Sequence, residues 1–153
     1  MRIIPAQLPE DGLRLTGKEP ADLEEIHDDV EIDKVNPVNY DVLAQLVSGH
    51  LLVRGALKTR ARLICARCGQ VFSHTVTEPD FIAEREVADP HQPVDLTSEV
   101  RESILLALPT QPLCRATCRG LCPRCGSNLN REACRCPPVT APRGGAFDGL
   151  ALQ

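Results

Sequence analysis

The stretch Leu51-Leu52-Val53-Arg54-Gly55-Ala56-Leu57-Lys58-Thr59-Arg60-Ala61-Arg62-Leu63 alternates with a period of two. Leu51, Val53, Gly55, Leu57, Thr59, Ala61 and Leu63 fall on one side, and Leu52, Arg54, Ala56, Lys58, Arg60 and Arg62 on the other. Side chains on a strand point alternately to opposite faces, so one side meets a core and the other meets water. Four of the six outward positions are basic, which makes this strand both the centre of the fold and a candidate binding face.

The flanking residues extend the pattern. Asp41–Val47 reads as the preceding strand, joined through a turn at Ser48-Gly49-His50. Val71–Thr77 and Phe81–Val87 read as two further strands, joined by Glu78-Pro79-Asp80. Residues 1–28 read as loop with short edge strands, and a period near two begins at Val30. Short connections between successive strands imply an antiparallel sheet. Ala88–Pro93 is a polar loop, followed by a helix at about 96–108. Leu96, Val100, Ser103, Ile104, Ala107 and Leu108 make its stripe; Asp95, Thr97, Ser98 and Glu99 supply caps and negative charge; Pro109 stops it.

The expected fold class is therefore α+β: an antiparallel β-sheet or partial barrel with one packed helix and a C-terminal cysteine-rich zinc module. The expected division is a β-rich body over 1–110, a zinc-binding module over 111–137 packed on the body through Cys65 and Cys68, and a mobile tail over 138–153.

Composition narrows the function. The 153 residues are 42% hydrophobic and carry a net charge of −4, so a sizeable core is available without crosslinks to rescue a tiny fold. The net charge hides blocks. Residues 1–41 carry −7, residues 42–77 carry +5, residues 78–100 carry −6 and residues 101–143 carry +5. The two basic blocks also hold every cysteine. A basic block invites a nucleic-acid reading, but four thiolates on one zinc ion carry −2, and neighbouring arginines can simply balance that charge. Only Tyr40, Phe72, Phe81 and Phe147 are aromatic, too few for a base-stacking platform. No apolar run is long enough to span a membrane, and the first residues lack a secretory-signal pattern, so a cytoplasmic location is expected.

The eight cysteines are Cys65, Cys68, Cys114, Cys118, Cys122, Cys125, Cys134 and Cys136. Cys65-Ala-Arg-Cys68-Gly69 and Cys122-Pro-Arg-Cys125-Gly126 share one pattern. C-x-x-C followed by glycine is a zinc-knuckle signature: two thiolates bracket a tight turn and glycine takes its positive φ. Two closed four-thiolate sites, holding two structural zinc ions, use every cysteine. One pairing joins Cys122, Cys125, Cys134 and Cys136 through a short loop, leaving Cys65, Cys68, Cys114 and Cys118. The rival joins Cys65, Cys68, Cys122 and Cys125. Disulfides and an iron–sulfur cluster stand behind these. Cys118-x3-Cys122-x2-Cys125 also has radical-enzyme cluster spacing, but no barrel-sized chain follows it.

Catalytic signals are thin. His27, His50, His74 and His91 are scattered, and no phosphate-cradling glycine loop, deaminase motif or triad is present. A non-enzymatic protein without a small-molecule substrate is expected.

The order of motifs resembles a known family. A β-rich region precedes Cys65–Gly69, then come an acidic stretch, a helix ending Leu105-Leu106-Ala107-Leu108... in the run Leu105-Leu106-Ala107-Leu108-Pro109, Pro112-Leu113-Cys114, and Cys118-Arg-Gly-Leu-Cys122-Pro-Arg-Cys125-Gly-Ser-Asn-Leu-Asn130. This looks like the bacterial YceD family, the large ribosomal RNA subunit accumulation proteins, with relatives in plastids. The resemblance covers roughly residues 10–137. It implies a part in accumulation or processing of large-subunit ribosomal RNA and no known catalytic activity. Some members lack the G-L-C-P-x-C-G segment yet keep the first C-x-x-C and a His or Cys pair after the Leu-Pro, which fits the first pairing.

The leading expectation is a ribosome-biogenesis factor whose partner is large-subunit ribosomal RNA or a pre-ribosomal protein. Arg54, Lys58, Arg60, Arg62 and Arg67 would make one basic face, and Arg115, Arg119, Arg124, Arg131 and Arg135 another. Alternatives are a solvated sheet face, a protein adaptor docking through the acidic blocks 19–33 and 78–99, and a thiol redox sensor.

Overall fold

The computed structural model describes residues 1–20, 32–35 and 37–137. The acidic block at 19–33 falls largely outside the described residues, and the tail at 138–153 lies outside them entirely. Two compact units divide between Cys118 and Arg119, and Cys114 and Cys118 lie in the first.

In the first unit the strands are β1 (Arg2–Ile3), β2 (Leu13–Glu19), β3 (Ile32–Val35), β4 (Val38–Val47), β5 (His50–Ile64), β6 (Val71–Glu86) and β7 (Val94–Asp95), with the helix α1 at Thr97–Leu106. β2, β4, β5, β3 and β6 form an antiparallel five-stranded sheet, and β1 pairs with β7. β5 is its spine. β6 pairs along all of it, from His50↔Glu86 to Ile64↔Val71. The other edge is shared: β4 pairs from Val47↔His50 to Asn39↔Lys58, and β3 takes over at Val35↔Ala61. The unit is mostly antiparallel sheet with one helix, as the expected α+β class requires.

The alternation in β5 is realised except at Gly55 and Ala56, which are both half-buried. Leu51, Val53, Leu57, Thr59, Ala61 and Leu63 are buried, while Arg54, Lys58, Arg60 and Arg62 are exposed. The buried side meets Val42, Ala44, Val76 and Phe81 of neighbouring strands and Leu96, Val100 and Ile104 of the helical segment. Apolar burial on this scale is the main favourable term for the unit. Thr59 is the one buried polar side chain among the described residues, and its hydroxyl donates to the Pro37 carbonyl at 3.4 Å. The β4–β5 turn is tight because Ser48 (φ 50°) and Gly49 (φ 83°) both take left-handed conformations, which match the strand twist.

Two expectations need correction. Glu78-Pro79-Asp80 does not separate two strands; β6 runs through it. Gly55 faces Phe81 and Leu57 faces Glu78, so β6 carries an extra residue there as a bulge. A bulge accommodates proline, which has no N–H for a ladder. The helix is also shorter than 96–108. Its N-cap is Leu96, without a side-chain cap bond, and Asp95 acts one residue earlier by accepting the Thr97 N–H at 2.9 Å. At the other end the Leu108 N–H reaches back to the Leu105 carbonyl at 3.1 Å, an i→i+3 closure that ends the helix before Pro109.

In the second unit, regular structure among the described residues is limited to an isolated bridge between Leu121 and Asn128. Turns carry the rest.

Candidate metal centres and basic face

The first C-x-x-C is the loop between β5 and β6. The Cys65 N–H donates to the Gln70 carbonyl at 3.0 Å, and the Gly69 N–H donates to the Cys65 carbonyl at 2.9 Å. Gly69 takes φ 66°, which closes the turn. The segment after α1 joins it through the Ala66 N–H, which donates to the Pro112 carbonyl at 2.8 Å. Cys114 and Cys118 follow. The four sulfurs of Cys65, Cys68, Cys114 and Cys118 lie within 4.8 Å of one another. Cys65 to Cys118 and Cys68 to Cys114 are each 3.8 Å.

That separation is informative. A disulfide holds its sulfurs at about 2.05 Å. A tetrahedral ion with Zn–S bonds of about 2.3 Å separates its sulfurs by about 3.8 Å. The donor set fits a soft or borderline cation. Cys65, Cys68 and Cys118 are buried, with Phe72 and Leu113 packed against them. Four thiols fill a tetrahedral shell, so such an ion has no open position for a substrate.

The second centre repeats the first turn. The Cys122 N–H donates to the Ser127 carbonyl at 2.8 Å and the Gly126 N–H to the Cys122 carbonyl at 2.9 Å, with Gly126 at φ 72°. The echo in sequence is thus an echo in hydrogen bonding. The sulfurs of Cys122, Cys125, Cys134 and Cys136 lie within 4.8 Å of one another, Cys134 to Cys122 at 3.4 Å. This centre is more open: Cys122 is buried, Cys134 and Cys136 are half-buried, and Cys125 is exposed.

Each centre already favours one thiolate. Burial opposes charge on Cys65, but backbone hydrogen bonds from Cys114, Arg67 and Cys68 outweigh it and bring the thiol down to about 6. Backbone hydrogen bonds from Cys125 and Arg124 bring Cys122 down to about 6. Their neighbours move the other way. Burial, then the adjacent Cys118, Cys65 and Cys68 sulfurs, push Cys114 up to about 12. The Cys125 sulfur and burial push Cys136 up to about 12. Four thiols crowded together cannot all ionise unless a cation compensates them.

Several supporting residues were not apparent from spacing. The Asn130 side-chain oxygen accepts the Arg119 N–H at 2.8 Å, and the Asn128 oxygen accepts the Asn130 N–H at 3.0 Å. The Leu129 N–H donates to the Gly120 carbonyl at 3.0 Å. The polar end of the G-L-C-P-R-C-G-S-N-L-N string therefore braces its own knuckle. Two asparagines spaced by one residue after a turn were the available signal, since asparagine readily bonds nearby backbone.

The basic residues separate. Arg54, Lys58, Arg60 and Arg62 share the exposed face of β5, and their opposite numbers on β6 are Ile82, Thr77, Thr75 and Ser73. Arg67 lies in the first knuckle, where its guanidinium donates to the Cys118 carbonyl at 3.0 Å. Arg115 is exposed between Cys114 and Cys118. Arg119, Arg124, Arg131 and Arg135 are exposed in the second unit.

Comparison with known proteins meets this geometry. The sequence model of one family, described as large ribosomal RNA subunit accumulation protein YceD, matches residues 78–152. Those residues match the YceD family. The match begins within β6, so the first knuckle lies before it, whereas the sequence resemblance was expected over roughly 10–137. Similarity to single proteins reaches further. A Mycobacterium tuberculosis protein described as uncharacterized is 28% identical over 143 aligned residues, covering 76% of this chain and 68% of its own. YCED homolog 1 of Arabidopsis thaliana, a chloroplastic protein named for large ribosomal RNA subunit accumulation, is 33% identical over 43 residues, covering 28% of this chain and 13% of its own. A similarly named maize protein is 37% identical over 46 residues, covering 29% and 16%. No solved structure matches. Among the described residues, no helix is long and apolar enough to cross a membrane.

Proposed function

We propose that this protein is a non-enzymatic ribosome-biogenesis factor of the YceD family that supports accumulation or processing of large-subunit ribosomal RNA. In this reading it acts in the cytoplasm, two structural zinc ions hold its cysteine-rich segments, and its partner is the RNA itself. The observation that carries the RNA contact is the exposed row of Arg54, Lys58, Arg60 and Arg62 on one strand face. The family description and the names of the plant relatives supply the direction.

The geometry suits phosphate contact. Outward residues on a strand repeat every ~6.7 Å, comparable with successive phosphates along a nucleic-acid strand. Contacts to phosphate position a protein without reading sequence. Arg67 has a different part: its bond to the Cys118 carbonyl ties it to the first centre, where it also offsets thiolate charge. Arg119 and Arg124 are retained as tentative contacts from the second unit.

The test is a binding titration of the zinc-loaded chain against large-subunit ribosomal RNA fragments at increasing salt. Affinity should fall steeply with salt, and Arg60→Glu with Arg62→Glu should weaken it. Binding that ignores both would overturn the phosphate-contact reading. Capture of a ribosomal protein from RNA-free extract, with no RNA affinity, would favour a protein adaptor instead.

A further inference from the structure

The shared edge of β5 leaves a notch. Among the described residues, β4 is paired with β5 as far as Asn39↔Lys58 and β3 from Val35↔Ala61, on either side of Thr59 and Arg60. A cleft of about 240 Å³ opens there, lined by Pro37, Asn39, Lys58, Thr59, Arg60 and Thr75. Among its described lining residues there is no carboxylate. Among the described residues, neither Lys58 nor Arg60 has an ion-pair partner. Arg14, by contrast, is already bound to Asp41 at 2.6 Å on the same sheet.

The lining groups are suited to one kind of ligand. Lys58 and Arg60 bring charge, and the Thr75 hydroxyl stands opposite Arg60 across the β5–β6 ladder. Asn39 is held in place because its amide donates to the Lys58 carbonyl at 3.3 Å. The Thr59 hydroxyl is turned to Pro37, which makes it a wall of the cleft. Two cations, a hydroxyl and an amide around an indentation make a site for a tetrahedral oxyanion.

The described aromatic side chains restrict the ligand further. Phe81 is buried, and Tyr40 and Phe72 pack against the core. None stands on the outer face of the sheet, so bases of a single strand have no platform to stack on. Paired RNA hides its bases and is read through its backbone.

Building on the basic-face reading above, we propose that this notch seats one backbone phosphate of RNA in paired form. The site distinguishes duplex from single strand by the lack of stacking, and it sets where along β5 the backbone crosses. Arg54 and Arg62, on either side, meet flanking phosphates.

The experiment uses fluorescence anisotropy with the zinc-loaded full chain and two labelled probes, a hairpin with a stem of about 16 base pairs and an oligouridylate of equal length. The hairpin should bind roughly tenfold more tightly, because the single strand gains no stacking here. Lys58→Gln with Arg60→Gln should weaken hairpin binding and lower its salt slope by about two. Thr75→Val, which keeps the shape and strand preference, should weaken it roughly threefold and leave the slope unchanged, since it removes a neutral donor. Circular dichroism and metal content check that each variant is folded. Equal affinity for the two probes overturns the paired-RNA inference. An unchanged slope in the Lys58 and Arg60 variant, with RNA binding intact, overturns the notch while leaving the basic face standing. No binding of either probe at low salt overturns both readings.

Discussion

The sulfurs of Cys65 and Cys118 lie 3.8 Å apart although 53 positions separate them in the chain. An ion held between them closes a loop that contains β6, β7 and α1. Long loops lose the most entropy on closure, so such a crosslink acts strongly on the unfolded state. We expect native mass spectrometry of the purified protein to find two zinc ions. Cys118→Ser should lose one and lower the melting temperature by roughly 6–8 °C, equivalent to about 2 kcal/mol in a domain of this size. Chelation should have the same sign. One ion, or none with intact stability, would remove the metal from the account of the fold.

The second centre closes only a short loop, 12 positions from Cys122 to Cys134, and depends on its own bracing. Asn130 holds the Arg119 N–H, and Asn128 holds the Asn130 N–H. Asn130→Ala removes that acceptor without touching a thiol. Groups that orient ligands in this way are worth roughly 10–100-fold in metal affinity. A competition titration with a chromophoric chelator should show one of two ions weakened by that factor, and Asn130→Asp, which keeps an acceptor, should restore much of it. Equal retention in Asn130→Ala would mean that the thiols alone set the affinity.

How much of this was legible in the sequence follows from range. The β5 alternation, the Ser48-Gly49 turn and the repeated C-x-R-C-G turns are local and were visible. The grouping of Cys65 and Cys68 with Cys114 and Cys118 rested on loop length and on a resemblance, because nothing between Gly69 and Cys114 encodes their meeting. Pro79 was misleading: proline with two acids reads as a turn, whereas β5 holds β6 in register on both sides and turns the excess residue into a bulge. Arg67 was grouped with the strand arginines by composition, and only the fold shows its bond to the Cys118 carbonyl. The notch at Thr59 and Arg60 arises where two strands share one edge, a relationship no local pattern contains.

Gly55 is demanded by the approach of β4. A Cβ at this position would lie 2.2 Å from the Asp41 carbonyl oxygen and 2.6 Å from the Val42 Cα, both backbone atoms that cannot swing aside. Gly55→Ala should therefore destabilise the protein by about 1–3 kcal/mol, in the range of overpacking. Chemical denaturation should show a lower midpoint with an unchanged slope. A neutral effect would require the two strands to part locally, visible as faster amide exchange at Val42.

Asp95 links the helix start to the β1–β7 pair. Its carboxylate accepts the Thr97 hydroxyl at 2.5 Å and N–H at 2.9 Å, and the Arg2 Nε–H at 3.0 Å. The Thr97 hydroxyl first, then Arg2 and the Thr97 N–H, hold this carboxyl well below the usual carboxylate range. A group depressed in the folded state contributes stability that is complete above its unfolded value, about 3.9, and fades as pH falls toward the folded value. Asp95→Asn keeps the shape but loses the charge. The gap in melting temperature between wild type and Asp95→Asn should be constant near neutrality and narrow as pH is lowered through about 4. Comparing the two proteins at each pH cancels acid release of metal from the thiols, which both share. A gap that widens on acidification would place the stabilising proton on the wrong side and remove Asp95 from the acid response.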